Sequence, residues 1–537
     1  MKTCGVIAAG SEQSAAAGEE CLRLGGNAVD AAVAAAFATA AGDPAICSLS
    51  GGGALVFRDG ATGSARVCDF FADAPGLGSR RLNAAAGTDF PELDFHALEI
   101  DFQAGSYLQT FHIGRAAAAV PGILSGLCAA REHWGVLPLE ALIDPTIRFL
   151  RDGIELTEYQ AMCNIVLSGI LGVSEFGRAH YFASSGEPLA AGERFCNCEL
   201  ADALQSLATL GLSRFQEEVL FPAVLSDFGE AVGGRITPED LQRSTPRFRE
   251  PLSVGYGGAE LCTNPPPSFG GRFICQTLEL FDRLGVRQSP AGSAERYLKL
   301  AAIFRAISEL RVEQPDLADR AAAIQILEAR IAAILRGAAP TESSTKREPA
   351  GPGNTTHVSV LDEHGNAVAV TLSHGEGNGH VISGTGILMN NLLGEEDLFP
   401  GGFHKFTPGE RLKTMMAPTI LVEPSGAITA LGSGGSNRIR TVIPQFVVAL
   451  LDDEKSLGEA IGQARVHLES GTLSFEDYLI ADAGTALSEA AKLAEILRPF
   501  KGPSLFFGGV HAARLTPRFG LQGVGDFRRS GAVRVVE

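Results

Sequence analysis

Residues 355–373 read TTHVSVLDEHGNAVAVTLS, two runs of alternating apolar and polar residues joined by Glu363–Asn366. Period-two patterning around a Gly- and Asn-bearing turn predicts a β-hairpin. Pairing positions by a constant sum about His364 sets Thr355 opposite Ser373. Directly before the hairpin lies TESSTKREPAGPGN, residues 341–354, polar and carrying two Pro and two Gly. Such a stretch predicts a linker. The fold must therefore accept a rigid strand that begins at the end of a loose segment, deep in the chain.

The rest of the chain supplies partners for that hairpin. Ser14–Leu24 reads as a helix stopped by Gly25-Gly26. Asn27 can cap a second helix, with Asp30 in its first turn, where a negative charge meets the helix dipole. That helix, AVDAAVAAAFATA, is apolar nearly all round and belongs inside a core. SLSGGGALVFRDGATGSARVCDFF gives two strand-like runs around a Gly-rich turn. From Val120 to Ala339 helix patterns dominate, most clearly AERYLKLAAIFRAISEL and DRAAAIQILEARIAAILRG. NPPPSFGG, Asn264 to Gly271, reads as a rigid loop ahead of them. After the hairpin, TILVEPSGAITAL predicts further strands, GSGGSNR (Gly432 to Arg438) a Gly-rich turn, and VIPQFVVALL an apolar stretch.

Composition removes several function classes. The formal net charge is −18. Binding nucleic acid needs clustered Lys and Arg to release counterions, so no nucleic-acid partner is expected. Anionic membranes are excluded on the same ground. The apolar run near the start is shorter than the about 20 residues needed to span a bilayer. The first residues lack the charged-then-apolar layout of a signal peptide. A cytoplasmic protein is expected. Ten cysteines are scattered, and the only close pair is Cys196-Asn197-Cys198. Zinc sites need two close pairs at set spacing, so neither a metal nor a cofactor is expected.

No G-x-S-x-G elbow, H-E-x-x-H or Walker A run is present. Chemistry falls instead on the seam at Asn354–Thr355. If that bond is cut, Thr355 carries a hydroxyl and a free α-amine on one residue. The amine can act as the base that activates the hydroxyl. An α-amine titrates near pH 8, so part of it is neutral under physiological conditions. Ser373, across the hairpin, can hydrogen-bond the nucleophile and fix its rotamer. The glycines of GSGGSNR can turn backbone N–H groups toward an oxyanion.

At these residues the chain resembles the gamma-glutamyltransferase (gamma-glutamyl transpeptidase) family of N-terminal nucleophile hydrolases. The resemblance runs almost end to end, through LRLGGNAVDAAVAAAFA, SGGGALVFRDGATG, AAVPGILSGL, REPLSVGYGG, NPPPSFGG, TTHVSVLDEHGNAVAVT, GTGILMNN, MMAPTIL and GSGGSNRI. It implies an α+β fold, a four-layer αββα sandwich of two stacked sheets with helices outside. It implies self-cleavage into a large segment, residues 1–354, and a small one, 355–537, which stay together as a heterodimer. It makes Thr355 the nucleophile of both self-cleavage and substrate attack, Ser373 its supporting hydroxyl, and Gly435 and Ser436 the oxyanion hole. Ser436 stands where the family has a second glycine.

The departures bear on the substrate. Members acting on gamma-glutamyl groups have an Arg after Asp-Phe in the first hairpin, which grips the substrate α-carboxylate. Here that place is Phe71. Two serines that bind the same carboxylate are Thr414 and Met415. A Gln after the paired asparagines is Leu392, with Glu395 the surviving acid for the α-amine. An Asn two residues past the supporting hydroxyl is Gly375. A carboxylate without its bidentate Arg is costly in an apolar pocket. The resemblance with these departures implies a small-molecule amide substrate with a less polar acyl group, resolved by water or an amine. An arginine elsewhere, such as Arg438, is the alternative source of that charge. A true glutathione-cleaving gamma-glutamyltransferase and an unprocessed, non-catalytic binding relative stay open at this point.

Overall fold

The computed structural model describes residues 2–82, 90–101, 108–315, 317–339, 354–399, 402–478 and 487–537. Apart from Asn354, the expected linker lies outside the described residues. Thirteen strands form two large sheets. They are β1 (Gly5–Ala9), β2 (Gly52–Arg58), β3 (Ala65–Phe70), β4 (Arg247–Arg249), β5 (Leu252–Tyr256), β6 (Ala259–Thr263) and β7 (Thr355–Asp362). There follow β8 (Ala367–Ser373), β9 (Thr419–Val422), β10 (Ile428–Gly434), β11 (Gly509–Thr516), β12 (Gly520–Val524) and β13 (Ala532–Val536). The first sheet runs β13-β1-β7-β8-β2-β3-β4 and the second β12-β11-β10-β9-β6-β5. Every neighbouring pair in both is antiparallel.

The hairpin forms as patterned. Thr355 pairs with Ser373 and Leu361 with Ala367. The Asp362 carboxylate closes its turn, accepting the N–H groups of His364 and Asn366 at 3.0 Å each. The same carboxylate accepts the N–H of Ala28 at 3.0 Å, tying the hairpin to the start of a helix. That helix is α2 (Ala28–Gly42), with every residue buried. It opens on a capping box between Asn27 and Asp30. Before it, α1 (Glu12–Arg23) ends at Leu24 and Gly25, whose φ of 87° suits a residue without a Cβ. Further along come α3 (Glu158–Val166), α4 (Phe269–Arg283), α5 (Ala294–Glu313), α6 (Arg320–Leu335) and α7 (Ile439–Leu451).

Alternation sorts the side chains. Val358, Val360, Val368 and Val370 of the first sheet share an apolar cluster with Val33 and Phe37 of α2. Leu361, Ala367 and Ala369 point the other way and pack with Ile420, Ile428, Ala430 and Ala513 of the second sheet. The opposite face of the second sheet, through Leu261, Leu421 and Leu431, joins α4–α7 at Phe273, Phe304, Leu327 and Ile443.

Two expectations change. The helical stretch Val120–Ala339 is interrupted by β4, β5 and β6, which reach both sheets. The interruption is short and half-buried, so its period-two signal is weak beside the flanking helices. In GSGGSNR, residues Gly432–Gly434 are strand, and the turn begins only at Gly435. Small residues serve close packing there. A Cβ at Gly432 would overlap the His357 ring, and one at Gly434 the Thr355 carbonyl. His357 is itself fixed between the sheets. Its Nε2 lies 2.8 Å from Ser359 Oγ, which donates to the His511 carbonyl, and its Nδ1 lies 2.8 Å from Thr371 Oγ1. Burial holds this imidazole well below its usual pKa, so it is neutral. Gly432→Ala should force the sheets apart and lower stability by about 1–3 kcal/mol, read as a fall in the urea midpoint.

Candidate active site

Thr355 and Ser373 face each other across β7 and β8, and both are buried. From sequence, Ser373 is expected to bond the Thr355 hydroxyl. In the uncut chain its Oγ instead donates to the Asn354 carbonyl at 2.8 Å and accepts the Gly375 N–H at 3.2 Å. The hydroxyl therefore sits on the carbonyl of the Asn354–Thr355 bond. A donor there draws electron density from the carbon that a neighbouring hydroxyl could attack.

Gly434 ends β10 against the Thr355 carbonyl, and the chain then turns sharply. Gly435 has φ 109° and Ser436 φ 47°, both left-handed, before the chain enters α7. A Cβ at Gly435 would lie 2.9 Å from the Gly508 Cα, which reserves that position for glycine. Ser436 holds an uncommon conformation for a residue with a side chain, a form of strain that clusters at functional sites. The next residue is held by Arg311, whose Nη1 donates to Asn437 Oδ1 at 2.8 Å.

The residues of the expected acyl pocket fall in two places. Phe71 and Leu392 share one apolar cluster with Ala119, Phe399, Leu412 and Met416. Phe71 lies against Gly52, which pairs with Ser373, so this cluster adjoins the seam. Met415 instead belongs to the core under the second sheet, and Met416 takes the pocket-side place. Thr414 accepts the N–H of Phe269 on its carbonyl at 2.8 Å and that of Met416 on its Oγ1 at 3.1 Å. Gly375, with φ 69°, packs against the side chains of Asn391 and Glu395, which a Cβ would strike.

Arg411, next to Leu412 of this cluster, is engaged. Arg411 donates Nε to Asp73 at 2.7 Å and Nη1 to Asp69 at 2.9 Å. Arg249 and Arg247 pair with the same two acids. Arg438 is fully buried, with Nε on the Phe506 carbonyl at 3.0 Å and its guanidinium 4.7 Å above the Phe506 ring.

Comparison with known proteins shows the family. The family model described as gamma-glutamyltranspeptidase matches residues 14–536. This chain belongs to the gamma-glutamyltranspeptidase family. It is an enzyme of the amidohydrolase and acyltransferase kind. An acylase ACY 1 proenzyme of Pseudomonas sp. (strain SE83) is 31% identical over 98% of this chain and 92% of its own length. A glutathione hydrolase proenzyme of Bacillus subtilis (strain 168) is 26% identical over 98% and 91%. The fold matches that of a cephalosporin acylase from Bacillus halodurans, with TM-score 0.79, 21% identity, and coverage of 100% and 96%. Among the described residues no helix is long and apolar enough to cross a membrane, and no group of three or more His, Cys, Asp or Glu could hold a metal.

One part of the surroundings of Thr355 was not legible in the sequence. Behind the seam, Thr356 Oγ1 donates to Asp43 at 3.2 Å, and Arg529 Nη1 donates to the Thr355 carbonyl at 3.5 Å. Tyr159 and Cys163 of α3 line a small cavity with Asp43. Asp43 and Arg529 lie far from the hairpin in sequence, and no local pattern connects them to it.

Burial pushes the Asp43 carboxyl up to about 7, against the weaker pull of Thr356 and Arg529. Unfolded, it titrates near 3.9. Folding therefore takes up a proton between these values. The stabilisation is full below pH 4 and is lost as pH rises through 7. In Asp43→Asn, this part of the decline in unfolding free energy should vanish, by at most about 4 kcal/mol for the shift from 3.8 to about 7. Urea unfolding at several pH values measures it.

Proposed function

We propose that this chain is a self-processing amide hydrolase or acyltransferase that works through an acyl-enzyme on Thr355. What carries the proposal is the contact of Ser373 Oγ with the Asn354 carbonyl, at 2.8 Å, on the strand pair that begins with Thr355. In self-cleavage, Thr355 Oγ adds to the Asn354 carbonyl carbon. The carbon–nitrogen bond of Asn354–Thr355 then breaks. The hydroxyl proton passes to the departing nitrogen, leaving an ester between Asn354 and Thr355 Oγ. Water hydrolyses that ester into an Asn354 carboxylate and a free N-terminal Thr355. The α-amine then serves as base for attack on a substrate amide, and water or an amine resolves the acyl-enzyme. Gly435 and Ser436 offer backbone donors to the oxyanion.

In this reading the two sheets and their flanking helices are the layers of an αββα sandwich. The segments 1–354 and 355–537 form one interlocked body, because each sheet takes strands from both. The substrate's acyl group is apolar and lies against Phe71 and Leu392. Supporting this are the apolar cluster, the engaged state of Arg411 and Arg438, and a relative named an acylase. Glu395 beside Gly375 favours a second reading, gamma-glutamyl chemistry, since an acid there suits a substrate α-amine.

A denaturing gel of the purified protein should show two fragments, the smaller beginning at Thr355. Thr355→Ala should remain one chain, and fragments still starting at residue 355 would refute the nucleophile. Ser373→Ala should slow self-cleavage by roughly 100- to 1000-fold, the typical cost of one oxyanion donor. Processed protein should release p-nitroaniline from simple acyl anilides and little from gamma-glutamyl-p-nitroanilide. Robust release from the latter favours the second reading.

A further inference from the structure

The carbonyl of Thr355 is gripped from a side that the cleavage chemistry does not use. Arg529, in the short turn Phe527–Arg529, is buried, and its Nη2 donates to the Leu505 carbonyl at 3.2 Å while Nη1 reaches Thr355. Its stem passes through space that glycines leave open. A Cβ at Gly509 would lie 2.9–3.0 Å from the Arg529 Cβ, Cγ and Cδ, and one at Gly434 would lie 3.1 Å from Nη1. The guanidinium acts electrostatically on Asp43, Tyr159 and Cys163, which stand together beside Thr356.

We propose, resting on the function above, that Arg529 is a positioning residue for the processed nucleophile: it anchors the Thr355 carbonyl and, as a buried fixed cation beside the freed α-amine, keeps that amine neutral and able to accept a proton.

Cutting the chain removes the covalent anchor on one side of Thr355. Chain ends stay mobile unless tied down. The Arg529 contact ties down the first carbonyl after the cut. Charge adds a second effect. A guanidinium stays protonated, and a like charge nearby disfavours an ammonium. Within one residue the nitrogen lies no more than about 3.6 Å from its own carbonyl oxygen, so the amine falls within about 7 Å of Nη1. At an effective dielectric near 20, a fixed charge at about that distance lowers the amine's titration by roughly one to two pH units.

The other groups facing this end of β7 are few. His357 on the same strand, His374 after β8 and His511 on β11 are all held below the neutral range by burial. Burial pushes the Cys163 thiol up to about 12 and raises Tyr159, so both stay neutral. Asp43, Glu376 and Glu395 oppose the effect when ionised. Arg438, past the oxyanion turn, directs its Nε to Phe506.

The test compares processed wild type with Arg529→Met and Arg529→Lys, using an acyl p-nitroanilide that the wild type cleaves. The ascending limb of the kcat/KM–pH profile should move up by about one to two pH units in Arg529→Met and return toward wild type in Arg529→Lys. Equal loss of kcat in both variants with an unmoved limb would mean a merely structural role and overturn the inference. A second measurement needs no variant. Carbamylation of the Thr355 amine by cyanate, followed by mass spectrometry of the small fragment across pH, should have its midpoint below about 7.5. A midpoint at or above about 7.5, closer to an ordinary α-amine, overturns the inference. Wild-type chains yielding no fragment that begins at Thr355 would refute the proposed function itself, and this inference with it.

Discussion

The second sheet meets the first through glycine. Gly432 and Gly434 of β10 lie against His357 and Thr355 of β7, so closely that a methyl group at either would collide. Ordinary side chains hold stacked sheets about 10 Å apart. Removing them at two alternate positions lets the strands press together where β7 begins. His357 then fills the gap as a neutral ring with both nitrogens hydrogen-bonded, which makes a buried polar residue tolerable. The turn at Gly435 and Ser436, proposed above to hold the oxyanion, follows directly on Gly434.

The hairpin is anchored unevenly. At its closed end, Asp362 closes the turn by accepting three hydrogen bonds from His364 and Asn366, and ties it to α2 by accepting a fourth from Ala28. At its open end, the Asn354 carbonyl rests on one hydroxyl and the Thr355 carbonyl on one guanidinium. Breaking a bond at the open end would disturb little else. β7 lies inside its sheet, between β1 and β8, and its pairing does not depend on residue 354. The first sheet joins strands of residues 1–354 to strands of 355–537 at β13–β1, β1–β7 and β8–β2. A cut at the seam would leave both parts hydrogen-bonded to each other.

Local patterns carried much of this architecture. The register of Thr355 and Ser373 was legible because side-chain period and turn position together fix pairing. The Asn27 cap and the buried helix after it were legible because capping and all-round apolarity are local properties. What was not legible depends on contacts between distant segments. Strands β4–β6 sit inside a helical region and are specified by the sheets they join. The glycines of β10 read as a turn because glycine marks both turns and close approaches, and only the opposing strand distinguishes the two. Met415 and Met416 fall in different apolar clusters, and which way each faces depends on what lies on either side. Asp43 and Arg529, more than 300 and 150 residues from the seam respectively, became neighbours of Thr355 and Thr356 only through folding.

In the proposed function, charge placement decides what the acyl pocket can select. Arg411 already faces two carboxylates, Asp69 and Asp73, each shared with a second arginine. A substrate carboxylate seeking that guanidinium would have to displace one of them and leave it buried and unpaired, which costs several kcal/mol. Phe71, Leu392 and Met416 present only hydrocarbon or thioether. Such a surface distinguishes acyl groups by size, and each methylene is worth only about 1–3 kcal/mol of discrimination. Sharper selection must come from polar groups at the edge. Glu395, packed against Gly375 two residues beyond Ser373, is placed to supply it. An acyl group that buries an apolar chain while presenting a donor or cation toward Glu395 satisfies both demands. One bearing a free carboxylate at the same depth satisfies neither.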